Sequence, residues 1–192
     1  MDQIANADGR RLEEYRDYLR LLARVHLSTR LKTKLDPSDI AQQAILEAHK
    51  CGAQCRGHNE TEWLAWLRGI LANVLAAAGR RFSAESRDLN RERSLEDELD
   101  LSSSRLAGVL AADQTSPSGQ AVISEELSWL ANAMNRLPED QQRVVELHHL
   151  KGLQIGEIAV LMGRSRPAIA GLLFRGLSRL RELFPDPAED ET

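Results

Sequence analysis

The stretch from residue 154 to 182 constrains the fold more than any other, because it reads as two short helices joined by a tight turn. Apolar residues recur at helical spacing and end at Gly163, where a left-handed backbone is easiest for a residue without a β-carbon. Ser165 is then a good N-cap, and Pro167 falls in the first turn, where its missing N–H costs nothing. The second helix has an apolar stripe formed by Ile169, Leu172, Leu173, Leu177 and Leu180. This spacing predicts a helix-turn-helix rather than an ordinary helical hairpin.

A helix-turn-helix places the N-terminal residues of its second helix in the major groove of DNA. Arginine suits this position because its guanidinium can bind a phosphate or the edge of a guanine. The candidates for contact with duplex DNA therefore lie at the start of the second helix and along it: Arg164, Ser165, Arg166, Pro167, Arg175 and Arg179.

The net charge of -4 by itself argues against DNA binding, but the charge is distributed unevenly along the chain. Residues 10–82 carry 13 Lys or Arg against 8 Asp or Glu, and residues 136–182 carry 8 against 5. Residues 83–135, between them, carry 4 against 10. Two basic segments joined by an acidic one are typical of two domains that bind nucleic acid. The alternative is that these are ordinary solvent-exposed charges without a binding role.

Residues 10–82 predict a bundle of amphipathic helices. The second of these helices starts at Asp36-Pro37-Ser38-Asp39, and its polar face carries Asp39, Gln42, Gln43 and Glu47. The third runs from about Trp63 and ends with Arg80 and Arg81. Core packing is the simpler interpretation of Trp63 and Trp66, and a stacking surface for unpaired bases is the alternative.

The rest of the chain predicts a linker and a second helical domain. Residues 83–119 are acidic and Ser-rich and close with Pro-Ser-Gly, which indicates a flexible linker with some nascent helix. Residues 120–184 form the second domain, and residues 185–192 form an acidic tail. We therefore expect an all-α protein with two small helical domains joined by an acidic flexible linker.

The sequence gives little support for metal binding, catalysis or membrane insertion. Cys51 and Cys55 lie one helical turn apart near His49 and His58, but Gly52 interrupts the scaffold, so reduced cysteines are expected rather than a zinc site. The chain lacks an HExxH pattern, a glycine-rich phosphate loop and a nucleophile elbow, and we expect neither a cofactor nor enzymatic activity. It also lacks a membrane-length apolar run and a signal-peptide pattern, which predicts a cytoplasmic protein.

Together, these features resemble the extracytoplasmic-function (ECF) sigma factors of bacterial RNA polymerase, within the sigma-70 family. The resemblance covers residues 10–184, and its most specific strings are DPSDIAQQAILEAH, AWLRGILANVLAAAGRRF and LPEDQQRVVELHHLKGLQIGEIAVLMGRSRPAIAGLLFRGLSRLREL. The strings SSSRLAGVLAADQTSPS and LLFRGLSRLREL are similar to a subgroup common in planctomycete-type bacteria. The resemblance implies that residues 10–82 are region 2 and that residues 120–184 are region 4.

The family resemblance also implies partners and roles. Region 2 is expected to bind the clamp coiled coil of core RNA polymerase and the minus-ten promoter element, and region 4 to bind the polymerase flap and the minus-thirty-five element. Core polymerase would be contacted by Asp39, Gln42, Gln43 and Glu47. The minus-ten strand would be contacted by Arg56, His58, Asn59, Trp63, Trp66, Asn73, Arg80 and Arg81. The minus-thirty-five duplex would be contacted by the six residues named above, from Arg164 to Arg179. An anti-sigma factor or another regulator is a further expected class of partner.

Three positions depart from the family pattern. Ala77 replaces a usual aspartate, and Ala170 and Gly171 replace basic or polar residues of the recognition helix. Gly171 and Gly176 each weaken a helix by about 1 kcal/mol relative to alanine, which close approach to DNA or polymerase would offset. Two rival hypotheses stay open: a dimeric helix-turn-helix regulator that works without polymerase, and a metal-dependent redox sensor built on Cys51, Cys55 and His58.

Overall fold

The computed structural model describes residues 12–27, 29–51, 60–83, 89–111 and 120–183. Every regular element within these ranges is helical, which confirms the predicted all-α class. The chain divides into two compact units, with the boundary between Ser128 and Trp129. No helix in the described ranges is long and apolar enough to cross a membrane.

Five helices of the described ranges lie wholly within the first unit. They are α1 (Arg16–His26), α2 (Thr29–Lys32), α3 (Pro37–Cys51), α4 (Glu60–Ser83) and α5 (Leu89–Ala111). Helix α1 and the residues before it bury Leu12, Tyr15, Leu19, Leu22 and Val25. Helix α3 begins where the sequence predicts, because Asp36 Oδ1 accepts a hydrogen bond of 2.7 Å from the Ser38 amide. This bond lowers the pKa of Asp36, since it favours the charged carboxylate.

Helix α5 corrects the prediction of a flexible linker over residues 83–119. It packs against α4 and α1, and it buries Leu99, Ser102, Ser103 and Leu106. Arg68 of α4 pairs with Asp100 of α5, and the Tyr18 hydroxyl lies 2.9 Å from the Ser103 hydroxyl. The acidic side chains of α5 obscured this packing in the sequence, because its buried positions include two serines that look solvent-facing. Residues 84–88 and 112–119 of the predicted linker lie outside the described residues.

The second unit carries the helix-turn-helix. Helix α6 (Gln120–Asn135) spans the boundary between the units and is followed by α7 (Glu139–Val145), a π-helix (Glu146–Leu150), α8 (Ile155–Met162) and α9 (Arg166–Leu183). A capping box starts α8, with the Gln154 amide donating to Glu157 Oε2 over 2.7 Å. Gly163 then ends α8 in the left-handed region, with φ of 64°. These features confirm the predicted helix-turn-helix.

The structure gives a different reason for a glycine at position 176 of α9 from the one expected. A β-carbon at this position would lie 2.9 Å from Val145 Cγ2, so the glycine allows α9 to approach α7 closely. The close approach that offsets the weak helix propensity is therefore within the second unit, rather than to DNA or to polymerase. At Gly171 a β-carbon would meet only the Arg175 guanidinium, at 3.3 Å.

Candidate nucleic-acid interface

The first turn of α9 faces solvent. Arg164, Ser165, Arg166, Pro167 and Ala168 are all exposed. Ser165 Oγ accepts a hydrogen bond of 3.4 Å from the Ala168 amide, as expected for an N-cap. Ile169 follows and is fully buried. The helix is thus anchored by its apolar side while its N-terminal residues are left open to a ligand.

The predicted DNA-contacting arginines occupy different environments. Arg164 Nη2 lies 2.6 Å from Asp140 Oδ2, in an ion pair between the turn and the start of α7. The guanidinium of Arg166 lies over Gly156, where a β-carbon would be 3.3 Å from it, and that of Arg175 lies over Gly171. Arg179 is exposed further along α9. All four arginines therefore have room to reach DNA from one unit.

Sequence reasoning missed one residue of this surface. Phe174 lies next to Arg175 and is 69% exposed, although it is a large aromatic side chain. Its position falls off the stripe of Ile169, Leu173 and Leu180, and that offset was the available signal. An apolar side chain exposed on a recognition helix suits contact with the methyl group of thymine.

A groove in the first unit brings together residues from α3 and α4. Its cavity of about 670 Å³ has apolar walls that include Leu35, Ile40, Ile70 and Val74. The polar side chains that line it are Asp39, Gln43, Glu47, Asn73 and Arg81. Asp39, Gln43 and Glu47 belong to the predicted polymerase-binding set, and Asn73 and Arg81 belong to the predicted minus-ten set. Gln42 is exposed on α3 but does not line the groove.

The polar face of α3 is internally hydrogen-bonded. Gln43 Nε2 donates to Glu47 Oε1 over 2.7 Å, and Lys50 Nζ donates to the same oxygen over 2.9 Å. The hydrogen bond from Lys50 is the main cause that lowers the pKa of Glu47, so this carboxylate is charged at neutral pH. A partner would therefore meet a fixed acidic group on α3.

The tryptophans of α4 separate into different environments. Trp63 is 8% exposed, which supports its interpretation as a core residue. Trp66 is half-buried, and its ring centroid lies 5.0 Å from that of Trp63 at a tilt of 40°. Asn73 and Arg81 are exposed, whereas Arg80 is half-buried. The predicted contacts Arg56, His58 and Asn59 lie outside the described residues.

The described residues give no support to the metal-dependent alternative. Within them, no group of three or more His, Cys, Asp or Glu side chains is placed to hold a metal ion. Cys51 is a half-buried free thiol at the end of α3. The other predicted members of that site, Cys55 and His58, lie outside the described residues.

Comparison with known proteins places this geometry in a family. A family model described as "Sigma-70, region 4" matches residues 127–180, a range that contains α8 and all but the last three residues of α9. A probable RNA polymerase sigma factor, RfaY, from Xanthomonas campestris is 32% identical over 144 residues. The helix-turn-helix unit is therefore similar in sequence to region 4 of the sigma-70 family. Both matches support the resemblance to sigma factors, and α9 up to Leu180 lies in the range matched to region 4.

Other relatives extend the match toward the N-terminus. The ECF RNA polymerase sigma factor BldN of Streptomyces coelicolor is 27% identical over 187 residues, which cover 96% of this chain. The RfaY match covers 74% of this chain. The chain spans 32% of the length of RfaY and 62% of that of BldN. A solved structure of the flagellar sigma/anti-sigma complex Sigma-28/FlgM contains a chain that matches with 16% identity and a TM-score of 0.37, over 95% of this chain and 97% of its own.

Proposed function

We propose that this protein is an alternative sigma factor, which binds core RNA polymerase and directs it to specific promoters. The observation that carries the proposal is the sigma region 4 at residues 127–180, whose recognition helix exposes arginine at its N-terminal turn. The protein works by binding and has no catalytic step of its own. As a partner of core polymerase, it acts in the cytoplasm.

Helix α9 contacts the minus-thirty-five element through its first turn and its outer face. Arg164, Ser165, Arg166 and Pro167 supply the first turn, and Arg175 and Arg179 reach along the duplex. Phe174 adds an apolar contact to this set. The departures at Ala170 and Gly171 leave the second turn of the helix without polar side chains, so base readout depends on the residues at either side.

The groove between α3 and α4 serves core polymerase and the minus-ten strand. The fixed acidic group at Glu47, with Asp39 and Gln43, suits a basic partner surface on polymerase. Across the groove, Asn73 and Arg81 suit the sugar-phosphate backbone. Ala77 stands one helical turn before Arg81, where the family usually has an aspartate, and among the described residues Arg81 has no carboxylate partner. Its charge therefore stays available for phosphate.

The two surfaces act together because they belong to one chain. Each contact is weak by itself, and tethering raises the effective concentration of the second site once the first is bound. Free energy from binding polymerase and duplex DNA then offsets the cost of unstacking promoter bases, which region 2 holds in single-stranded form. An anti-sigma factor or another regulator is a further partner that this class of protein takes.

Run-off transcription from genomic fragments tests the proposal. Purified core polymerase is used with and without the protein, and the transcripts are mapped. Discrete start sites that depend on the protein are expected. Binding of duplex DNA by the protein alone, without such transcripts, would instead support a helix-turn-helix regulator that works without polymerase.

A pair of variants separates the two surfaces. Arg166→Ala should weaken promoter use about tenfold without weakening polymerase binding, since one arginine contact with DNA is lost. Asp39→Asn, in the groove, should weaken polymerase binding without changing which start sites are used. Equal loss of both activities in Arg166→Ala would refute this division of labour.

A further inference from the structure

One ion pair joins the recognition turn to a helix 24 residues earlier in the chain. Arg164 Nη2 lies 2.6 Å from Asp140 Oδ2, and about half of each side chain is exposed. A solvent-exposed pair of this kind contributes little to folding stability. It also places a negative charge beside a surface that must approach phosphate. Asp140 also lies in the first turn of α7, where a carboxylate is favourable, but Glu139 meets that preference too, and neither effect accounts for a pair with Arg164.

Arg164 is held in place both at its backbone and at the end of its side chain. The residue follows Gly163, and its backbone amide donates to the Ala159 carbonyl over 3.0 Å, so its α-carbon is fixed by the end of α8. Asp140 then fixes the other end of the side chain through Nη2. Arg166, Arg175 and Arg179 have no carboxylate partner among the described residues. Arg164 is thus the arginine of this set that is held at both ends.

We propose that Asp140 is a positioning residue for promoter recognition, which holds Arg164 so that its remaining N–H groups face a base edge instead of a phosphate. This inference rests on the proposed sigma-factor function. The guanidinium is planar and presents its donors in a fixed fork, so holding one nitrogen sets the direction of the others. The carboxylate weakens attraction to phosphate in general, and it thereby favours sequence discrimination over affinity.

The test uses holoenzyme formed from core polymerase and the full chain. Promoters mapped with the wild-type protein are randomised across the upstream duplex element, and the preference at each base pair is read from the transcripts. Asp140→Asn is compared with Glu139→Gln, which removes a neighbouring carboxylate of the same first turn that has no ion pair among the described residues. Binding to promoter duplex is also measured over a range of salt concentrations.

Loss of discrimination at one base pair is the expected result. An arginine that reads a base edge discriminates by roughly fivefold to 150-fold, and Asp140→Asn should reduce that preference by about threefold to tenfold. The freed arginine can then turn to a phosphate, which would steepen the salt dependence by about 0.9 in log–log slope. Glu139→Gln should leave the preference unchanged. In an Arg164→Ala background, Asp140→Asn should have no further effect on preference.

Other outcomes would overturn the inference. If Asp140→Asn raises use of all promoters equally, the carboxylate only repels phosphate. If Arg164→Ala weakens all promoters equally, Arg164 contacts backbone and has no base for Asp140 to aim it at. Thermal unfolding of each variant shows whether a change in preference comes from misfolding. Absence of mapped promoters with the wild-type protein would remove the proposed function and this inference together, which distinguishes that failure from the other two.

Discussion

The two candidate surfaces are built in different ways. The proposed minus-thirty-five surface is local, because one turn and one helix supply nearly all of its exposed residues, and a glycine and a serine cap fix their backbone. The groove in the first unit is assembled from α3 and α4, so its polar residues meet only when the bundle is packed. The contrast implies that surface substitutions suffice to alter the first surface, whereas the second also depends on residues buried away from it.

Core truncations should give the largest effects and separate the two surfaces. Leu71→Ala in α4 and Ile169→Ala in α9 remove fully buried side chains, and each should cost about 2–5 kcal/mol of unfolding free energy. Leu71→Ala should impair polymerase binding, whereas Ile169→Ala should impair duplex binding. Urea unfolding and hydrogen exchange report which unit is affected.

Val160→Ala is the matched control for both core variants. Its side chain is 84% exposed on α8, so the substitution should change stability by less than about 0.5 kcal/mol. Loss of duplex binding in Leu71→Ala, with region 4 still folded, would show that the two surfaces are not separable.

Arg68→Ala tests what holds α5 against α4, a helix that forms one wall of the groove. The arginine side chain is 12% exposed, pairs with Asp100, and lies 3.4 Å from both the Tyr18 and the Ser103 hydroxyl oxygens. Removing it should cost about 2 kcal/mol, because buried partners lose a charged donor. Amide exchange in α5 should accelerate.

The matched control for this change is Arg81→Ala. Arg81 is an exposed arginine of the same helix, and its replacement should change stability by less than about 0.5 kcal/mol. Unchanged protection of the α5 amides in Arg68→Ala would mean that apolar burial alone holds α5 in place.

The local surface could be predicted from the sequence, because its signals are local. The glycine at 163, the serine at 165 and the apolar stripe of α9 each specify backbone or burial within a few residues. The same locality explains why the start of α3 at Asp36 was predictable. Charge gives no signal for Phe174, although its offset from the apolar stripe is visible in the sequence.

The packed features could not be predicted in this way. Helix α5 is acidic and Ser-rich, so it resembles a linker until Arg68 and Tyr18 are seen to meet Asp100 and Ser103. The π-helix gives no periodic signal, since it adds a single residue to one turn. The pair of Asp140 and Arg164 likewise joins positions that only the tertiary fold brings together.

A pair of glycine substitutions should give smaller effects of opposite sign. Gly176→Ala places a β-carbon 2.9 Å from Val145 Cγ2, and the resulting overpacking should exceed the gain in helix propensity, for a net loss of about 1 kcal/mol. Gly79→Ala in α4 meets nothing within 4 Å and should stabilise the first unit by about 0.5–1 kcal/mol. Thermal melting measures both. A stabilising Gly176→Ala would show that Val145 can move aside.

The smallest effect should be a pH dependence confined to the second unit. Burial, and next the charge of His148, lower the pKa of His149 below its usual 6.5. The unfolded chain therefore takes up a proton at this residue before the folded chain does. The stabilising contribution is complete above the unfolded pKa and is lost as the pH falls through 6.5 toward the folded value.

Replacing His149 tests this dependence. Urea midpoints compared at about pH 7.5 and about pH 5.5 should fall less in His149→Gln than in the wild-type protein, because the variant has no imidazole to titrate there. His49→Gln is the control, since His49 is exposed on α3 in the other unit, and the wild-type dependence should persist in it. An undiminished fall in His149→Gln would assign the pH dependence to other groups. It would also show that the buried turn after α7 tolerates a charged imidazole.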